Sequence, residues 1–334
     1  MNSWFRHCIY FPPCNLSSTD RPYRILACIT AYNDIDAVDT CFTLLRKQSY
    51  PINAYLIIDN SNPPLIENCN FQQYCCDSSP EIVICSHPEN IGTAGALCHQ
   101  IEWAIAHDFD FVWLFDQDSQ PEVDCLQKLL SHYQQLTQEG HNAGIIAPLP
   151  IDPRTSYELH GLEFDRYRFV SVSKAKMLKS MYNCDAVIAS GSLISLKAAK
   201  KVKLPDKQLF IDAVDWAYCL NFRQKGYEIF LIRETRLIHH YSNSKKIVLP
   251  FFYHSFLVHQ YSALRRYYIC RNHTFVELTY CDRHYYIWVF FHRILTLFKT
   301  LLKIWLYEDH RLRKTWACLL GTYDGFVGRL GKRW

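Results

Sequence analysis

The sequence predicts an α/β fold, a mostly parallel, doubly wound sheet flanked by helices, and three observations carry that prediction. Short apolar runs rich in β-branched and aromatic residues alternate with stretches of helical spacing, and parallel strands need helical crossovers between them. One such run, residues 109–114, passes almost directly into two aspartates, Asp116 and Asp118. With 334 residues, 49% of them hydrophobic, the chain has ample apolar surface for one large core or two smaller ones.

Taken in order, residues 24–30 (RILACIT) predict a first strand, and Val38, Cys41, Leu44 and Leu45 space a helix over 37–48. Residues 54–58 predict a second strand ending at Asp59-Asn60-Ser61, and 82–85 a third. The turn Asn90-x-Gly92 opens a helix over 94–106. The strand 109–114 follows, then a helix from 122 to 138 with a Gln-rich polar face, a strand at 144–148 and a loop-rich stretch to 179. Residues 186–195 (AVIASGSLIS) predict a strand pair or a bent strand around Ser190-Gly191. A helix over 216–225 stops at Gly226 and leads into a strand over 228–232.

In open α/β sheets ligands bind beyond the carboxyl ends of the strands, which puts Asp116 and Asp118 where a substrate would lie. Carboxylates at i and i+2 repel unless a cation offsets them, and hard oxygen ligands select Mg²⁺ or Mn²⁺. Spacing alone leaves two readings level, a metal and diphosphate site or an Asp pair that caps the following helix.

A formal charge of +4 from 36 basic and 32 acidic residues is too balanced to indicate nucleic acid. Fifteen cysteines without a C-x-x-C in a chain of this size predict reduced thiols, mostly in the core. The first twenty residues contain no apolar stretch of signal-peptide length, so secretion is not expected. The longest apolar stretch, 285–307, is interrupted by Arg293, Lys299 and Lys303, so no membrane span is expected either.

Together, 29–33 (ITAYN), 58–61 (IDNS), 90–95 (NIGTAG), 116–119 (DQDS) and 212–215 (DAVD) resemble an inverting GT-A glycosyltransferase of family 2, with bacterial rhamnosyltransferases the nearest likeness. The resemblance covers about residues 24–245 and resumes at Arg271-Asn272 and 325–331. It implies a GT-A, Rossmann-like catalytic domain over 21–245, with a nucleotide-sugar half to 120 and an acceptor half from 121, after an N-terminal extension of 1–20. The resemblance further implies that Asp59 accepts the N3 hydrogen of the donor's base, while Thr30, Ala31 and Tyr32 line the base pocket. Asn90, Gly92 and Ala94 would form the loop over ribose and diphosphate. Asp116 would hold the ribose, Asp118 the metal, and Gln117 fits the form common among rhamnosyltransferase look-alikes. Asp215, which also reads as a helix N-cap, would be the general base. Relatives carry Glu-Asp where this chain has Val214-Asp215, so Asp212 stays open as a sharer of that role. His239, favoured over His240, would complete the metal shell, and Ser190, Gly191, Asp212 and Trp216 would face the acceptor.

The implied partners are a nucleotide-sugar donor, foremost dTDP-L-rhamnose, and a lipid-linked or saccharide acceptor in cell-surface glycan synthesis. Galactofuranose and glucose transferases share the scaffold. A haloacid-dehalogenase-type phosphatase fits poorly, because its D-x-D opens the fold and carries Thr or Val where this chain has Gln120. An inactive scaffold would have no reason to keep Asp116, Asp118 and Asp215.

Beyond residue 246 basic and aromatic residues mix. His292, Thr296, Lys299 and Lys303 make one helical stripe, with Arg293 and Thr300 beside it, against a wide face of Ile, Leu, Phe and Trp. The region 246–334 is therefore expected to be helical and to lie on a membrane surface, at the inner face of the plasma membrane of a cytoplasmic enzyme. Packing on the catalytic domain or in a homo-oligomer is the alternative.

Overall fold

The structure is a computed structural model that describes residues 8–11, 23–65, 80–239, 243–248 and 255–334. Contacts divide the chain into two compact units. The first comprises Met1–Glu163, Ser171–Asp206 and Asp215–His240; the second comprises Phe164–Val170, Lys207–Val214 and Tyr241–Trp334.

In the first unit β1 (Cys8–Phe11), β2 (Ile25–Ala31), α1 (Ile35–Arg46), β3 (Ala54–Asp59), β4 (Glu81–Ser86), α2 (Gly92–Ala106) and β5 (Phe111–Asp116) appear in order. The expected βα alternation is borne out over this stretch. Strands β4, β3, β2 and β5 are parallel neighbours, so their carboxyl ends emerge on one edge. Their residues are buried on both faces, which is why they read as unbroken apolar runs rather than alternating ones. Asp34 caps α1 by accepting from the Ala37 N–H, and Val38, Cys41, Phe42 and Leu45 seat the helix on the sheet.

The rest of the unit contains β6 (Ser119–Pro121), α3 (Cys125–Gln138), β7 (Ala143–Asp152) and β8 (Tyr157–Glu158). The strands β9 (Leu162–Asp165) and β10 (Arg168–Ser171), which fall largely in the second unit, make a separate two-stranded sheet. Next come α4 (Lys174–Met177), β11 (Met181–Cys184), β12 (Leu193–Ser195), α5 (Leu196–Ala199), α6 (Val214–Gln224) and β13 (Glu228–His239). The bent strand expected over 186–195 reduces to β12, antiparallel between β5 and β7, and β11 lies in a stretch that gave no strand signal. Strand β13 is longer than expected. It runs parallel to β7 with register shifts at Glu228/Ile229 and Ile232/Arg236, and its far end pairs with β6.

In the second unit the hairpin β14 (Asn243–Val248) and β15 (Ser255–Gln260) precedes α7 (Ala263–Tyr280), α8 (Tyr286–Tyr307) and α9 (Arg311–Phe326). The hairpin was not anticipated in a region read as helical. Helices α7 and α9 meet backbone to backbone: a Cβ on Gly321 would sit 2.3 Å from the Tyr267 carbonyl oxygen, and one on Gly325 2.4 Å from that of Arg271. Small residues four apart make that approach possible.

Among the described residues nine cysteines are free and buried, as expected, but Cys85 is disulfide-bonded, so the reduced-thiol reading fails there. Among the described residues no helix is long and apolar enough to cross a membrane.

Candidate active site

Strand register assembles the site. In the parallel ladder Ala31 of β2 lies beside Asp59 and Thr30 beside Asp116, so two of the sequence-flagged aspartates end the strands on either side of β2, one residue apart in level. The antiparallel pairing of β6 with β13 sets His239 opposite Ser119 and so brings it to the acid pair from 120 residues away.

Asp116, Asp118 and His239 each present a ligand atom, all within 4.8 Å of one another. His239 Nδ1 is 3.3 Å from Asp118 Oδ1 and 3.0 Å from Ser119 Oγ. Two carboxylates with one imidazole form a donor set suited to a hard or borderline divalent cation. The thiol of Cys41 registers the same negative field, being pushed up first by burial and then by Asp118 and Asp116. His240 lies outside the described residues.

Ser190 is 2% exposed, and its hydroxyl accepts from the Asp116 N–H at 3.2 Å and lies 2.6 Å from Ser119 Oγ. It braces the acid turn from within the protein. Gly191 follows with φ +82°, and a Cβ there would come within 2.8 Å of Pro148 and 2.9 Å of Leu237, so no other residue fits. Its carbonyl accepts from Trp113 Nε1 at 2.9 Å.

On the donor side, Asp59 is 1% exposed and accepts from the backbone N–H groups of Ser61 and Leu65 at 2.9 and 2.7 Å. Asn60, which sequence reasoning quoted but gave no task, joins β3 to α2. Its Oδ1 accepts from the Ile91 N–H at 3.1 Å and its Nδ2 donates to the Gly92 carbonyl at 3.4 Å. Asn90 closes the loop by accepting from the Gly92 N–H at 2.9 Å, with Asn90 and Gly92 both at positive φ. Ala94 is fully buried in the first turn of α2.

Gln117 brackets the backbone of Tyr32: Oε1 accepts from its N–H at 2.6 Å, and Nε2 donates to its carbonyl at 3.0 Å. The Tyr32 ring itself is 52% exposed. Thr30 Oγ1 accepts from Gln100 Nε2 at 3.1 Å, and the Ala31 carbonyl accepts from the Asn60 N–H at 2.9 Å. These residues line the strand ends, with much of their polar capacity spent on holding one another in place.

Asp215 stands in the first turn of α6, half-buried, and accepts from the backbone N–H groups of Ala189 (3.3 Å) and Trp216 (2.9 Å). Trp216 is half-buried beside it in sequence. Asp212 belongs to the second unit, where it pairs with Arg265 at 3.1 Å. Burial raises its carboxyl above the ordinary range, against the pull of Arg265.

Arg271 and Asn272, both fully buried, grip the segment holding Asp212. Arg271 donates to the carbonyls of Gln208 and Leu209, and Asn272 Nδ2 to those of Leu209, Ile211 and Asp212. That grip accounts for positive φ at Phe210, Asp212 and Ala213, three non-glycine residues in a costly conformation.

A cation that sequence reasoning missed is Arg154. It is held bidentately by the buried Asp152 at 3.0 and 2.9 Å, and its pKa is raised first by those hydrogen bonds and, more weakly, by the charge of Asp118. The turn Asp152-Pro153-Arg154 carried no motif to flag it.

A mixed α/β sheet whose strand ends carry an acidic, metal-competent cluster has the architecture of a GT-A glycosyltransferase, and comparison with known proteins agrees. The profile of glycosyl transferase family 2 matches residues 27–202, and the chain belongs to that family. It is 24% identical over 253 residues to the dTDP-rhamnosyl transferase RfbF of Shigella flexneri, covering 75% of this chain and 78% of that protein. Among solved structures it is similar to the mannosyltransferase PcManGT of Pyrobaculum calidifontis, crystallised with GDP-Man and Mn²⁺. The TM-score is 0.53 at 12% identity, over 92% of this chain and 88% of that one. GalNAc-T7, crystallised with UDP, GalNAc and Mn²⁺, aligns with a TM-score of 0.52 at 13% identity over 66% of this chain, which spans 43% of that protein's length. The expected GT-A fold is thus borne out.

Proposed function

We propose that this glycosyltransferase inverts configuration as it moves L-rhamnose from dTDP-L-rhamnose onto a lipid-linked or growing polysaccharide acceptor, working at a membrane surface. The observation that carries the reading is the gathering of Asp116, Asp118 and His239 at the same sheet edge as Asp59, with the end of β2 between them. The rhamnosyl donor is supported by the likeness to the Shigella flexneri enzyme.

Asp59 and the backbone at Thr30, Ala31 and Tyr32 receive the base, and the Asn90–Ala94 turn receives the diphosphate at the start of α2, where the helix dipole favours anions. Asp116 takes the ribose. Asp118 and His239, with Asp116 adjacent, would hold Mg²⁺ or Mn²⁺, which when bound offsets charge on the departing diphosphate. The Asp215 carboxylate, oriented by the two N–H groups it accepts from, removes the acceptor hydroxyl's proton as that oxygen bonds to the anomeric carbon. The bond from that carbon to the diphosphate breaks on the opposite face. Asp212 is already committed to Arg265, which favours Asp215 as the base.

The test is a donor panel with purified protein and Mg²⁺ or Mn²⁺, read as nucleotide diphosphate release. Preference for dTDP-L-rhamnose is expected. Turnover only with a galactofuranose or glucose donor would move the specificity, and release without anomeric inversion in the product would overturn the single-displacement step.

A further inference from the structure

From the second unit we infer that the joint face of α8 and α9 seats this protein on an anionic phospholipid bilayer, with α8 lying flat and its lysines at headgroup level. The inference rests on the membrane-surface placement proposed above and is independent of the transfer chemistry. It also replaces the stripe expected from sequence.

Helix α8 does not use its basic stripe as that reading supposed. Arg293 is 4% exposed, donates to Thr274 Oγ1 at 3.0 Å and lies 3.7 Å from the buried Glu277. Together with Val289 and Ile304 it forms the inward line of the helix. What faces outward is Trp288, Phe291, Leu295, Phe298, Leu302 and Trp305, between 47% and 64% exposed and spaced three and four apart along the whole helix. Helix α9 adds Leu312, Trp316, Leu319 and Tyr323, between 42% and 76% exposed. A surface of this extent is more than scattered exposed side chains provide, and it marks an interaction site.

Charge decides what covers it. Helix α8 contains no acidic residue, and its exposed Lys299 and Lys303 flank the apolar seam. A second copy of α8 would bring these lysines no carboxylate, whereas an anionic bilayer brings phosphates while the lysine stems stay along the apolar surface. At the corner between the helices a hollow of about 870 Å³ has Trp305, Leu306 and Leu312 in its wall with Arg311 and Arg313 at the same place. The acids there are spent: Glu308 pairs with Arg266 and Lys314, and Asp309 with Lys314. Three exposed tryptophans suit the boundary between headgroups and acyl chains. Since the described helices are not long and apolar enough to span, α8 lies on the membrane rather than through it.

The experiment is flotation of the full chain with phosphatidylcholine vesicles, with and without phosphatidylglycerol, alongside sedimentation velocity and turnover of a short soluble acceptor. Wild type is expected to float with the anionic vesicles and to detach with salt. Phe291→Gln with Phe298→Gln should lower vesicle affinity by at least about tenfold. Lys299→Gln and Lys303→Gln should each lower it by about fivefold, the equivalent of one basic residue near an anionic surface. Both changes should leave melting and soluble turnover intact. Wild type that ignores both kinds of vesicle removes the membrane placement altogether. Wild type that floats, with the phenylalanine variant floating equally well, removes this face but not the placement. A concentration-dependent dimer lost in Phe298→Gln, with no flotation, assigns the face to a second copy and overturns the inference. Flotation without turnover of any nucleotide sugar would count against the proposed chemistry alone.

Discussion

The strand ends of the first unit and the helical layer of the second handle polarity in opposite ways. At the strand ends, apolar strands lie inside and the carboxylates project past them, as hydrophobic patterning leads one to expect. In the helical layer Arg271, Asn272, Arg293, Glu277, Glu308 and Lys314 are buried, while six large apolar residues of α8 form an exposed seam. The contrast teaches that amphipathic spacing announces two faces and does not say which one meets solvent. Burying ions costs several kcal/mol per charge unless partners are supplied, and in this layer each buried charge lies within reach of an opposite charge or a hydrogen-bonding group.

The largest effect that would sharpen this contrast is at the proposed base. Asp215→Asn should lower turnover by about 10²- to 10⁴-fold, yet leave donor affinity within a few-fold, since the acid acts on the acceptor. Asp212→Asn should instead lower the melting temperature, because it replaces the ion pair with Arg265 by a neutral contact. Loss of chemistry at Asp212 with Asp215→Asn still active would transfer the role.

Comparable in free energy is the buried pair of the helical layer. Arg293→Ala should cost about 3–5 kcal/mol in denaturant unfolding, because the buried Glu277 keeps only His292, 3.6 Å away, in place of a permanent countercharge. Lys299→Ala, on the exposed side of the same helix, should change stability by no more than about 0.5 kcal/mol. Equal effects at the two positions would mean that α8 is oriented otherwise.

At the acid pair, Asp118→Asn keeps shape and removes charge. Turnover should fall by at least about 10²-fold with melting unchanged, and excess chelator should do the same to wild type. Undiminished turnover in chelator would remove the metal from the proposal.

Two smaller effects probe packing in each region. Gly325→Ala forces α7 and α9 apart and should destabilise by about 1–3 kcal/mol. Gln117→Ala deletes both bonds to the Tyr32 backbone, for about 1–2 kcal/mol, and should raise the donor KM more than it lowers kcat. A change in kcat alone would place Gln117 at the reacting atoms instead.

How much could be read without the structure follows from the range of each signal. Element order through β5, the strand-end position of Asp59 and Asp116, and the helix opening at Asp215 rest on periodicity and turn chemistry within a few residues, and these signals survive folding. The α/β class and the acidic motif were legible for that reason. The tertiary structure alone decided what depends on pairing between distant segments. The β6–β13 register carries His239 to Asp118, the Ser190 hydroxyl meets the Asp116 N–H from 74 residues away, and Arg265 engages Asp212 across 53 residues. It also decided that Arg293 turns inward. The α8 sequence permits either face to be buried, and only Glu277 and Thr274 on a neighbouring helix supply the partners that a buried guanidinium needs.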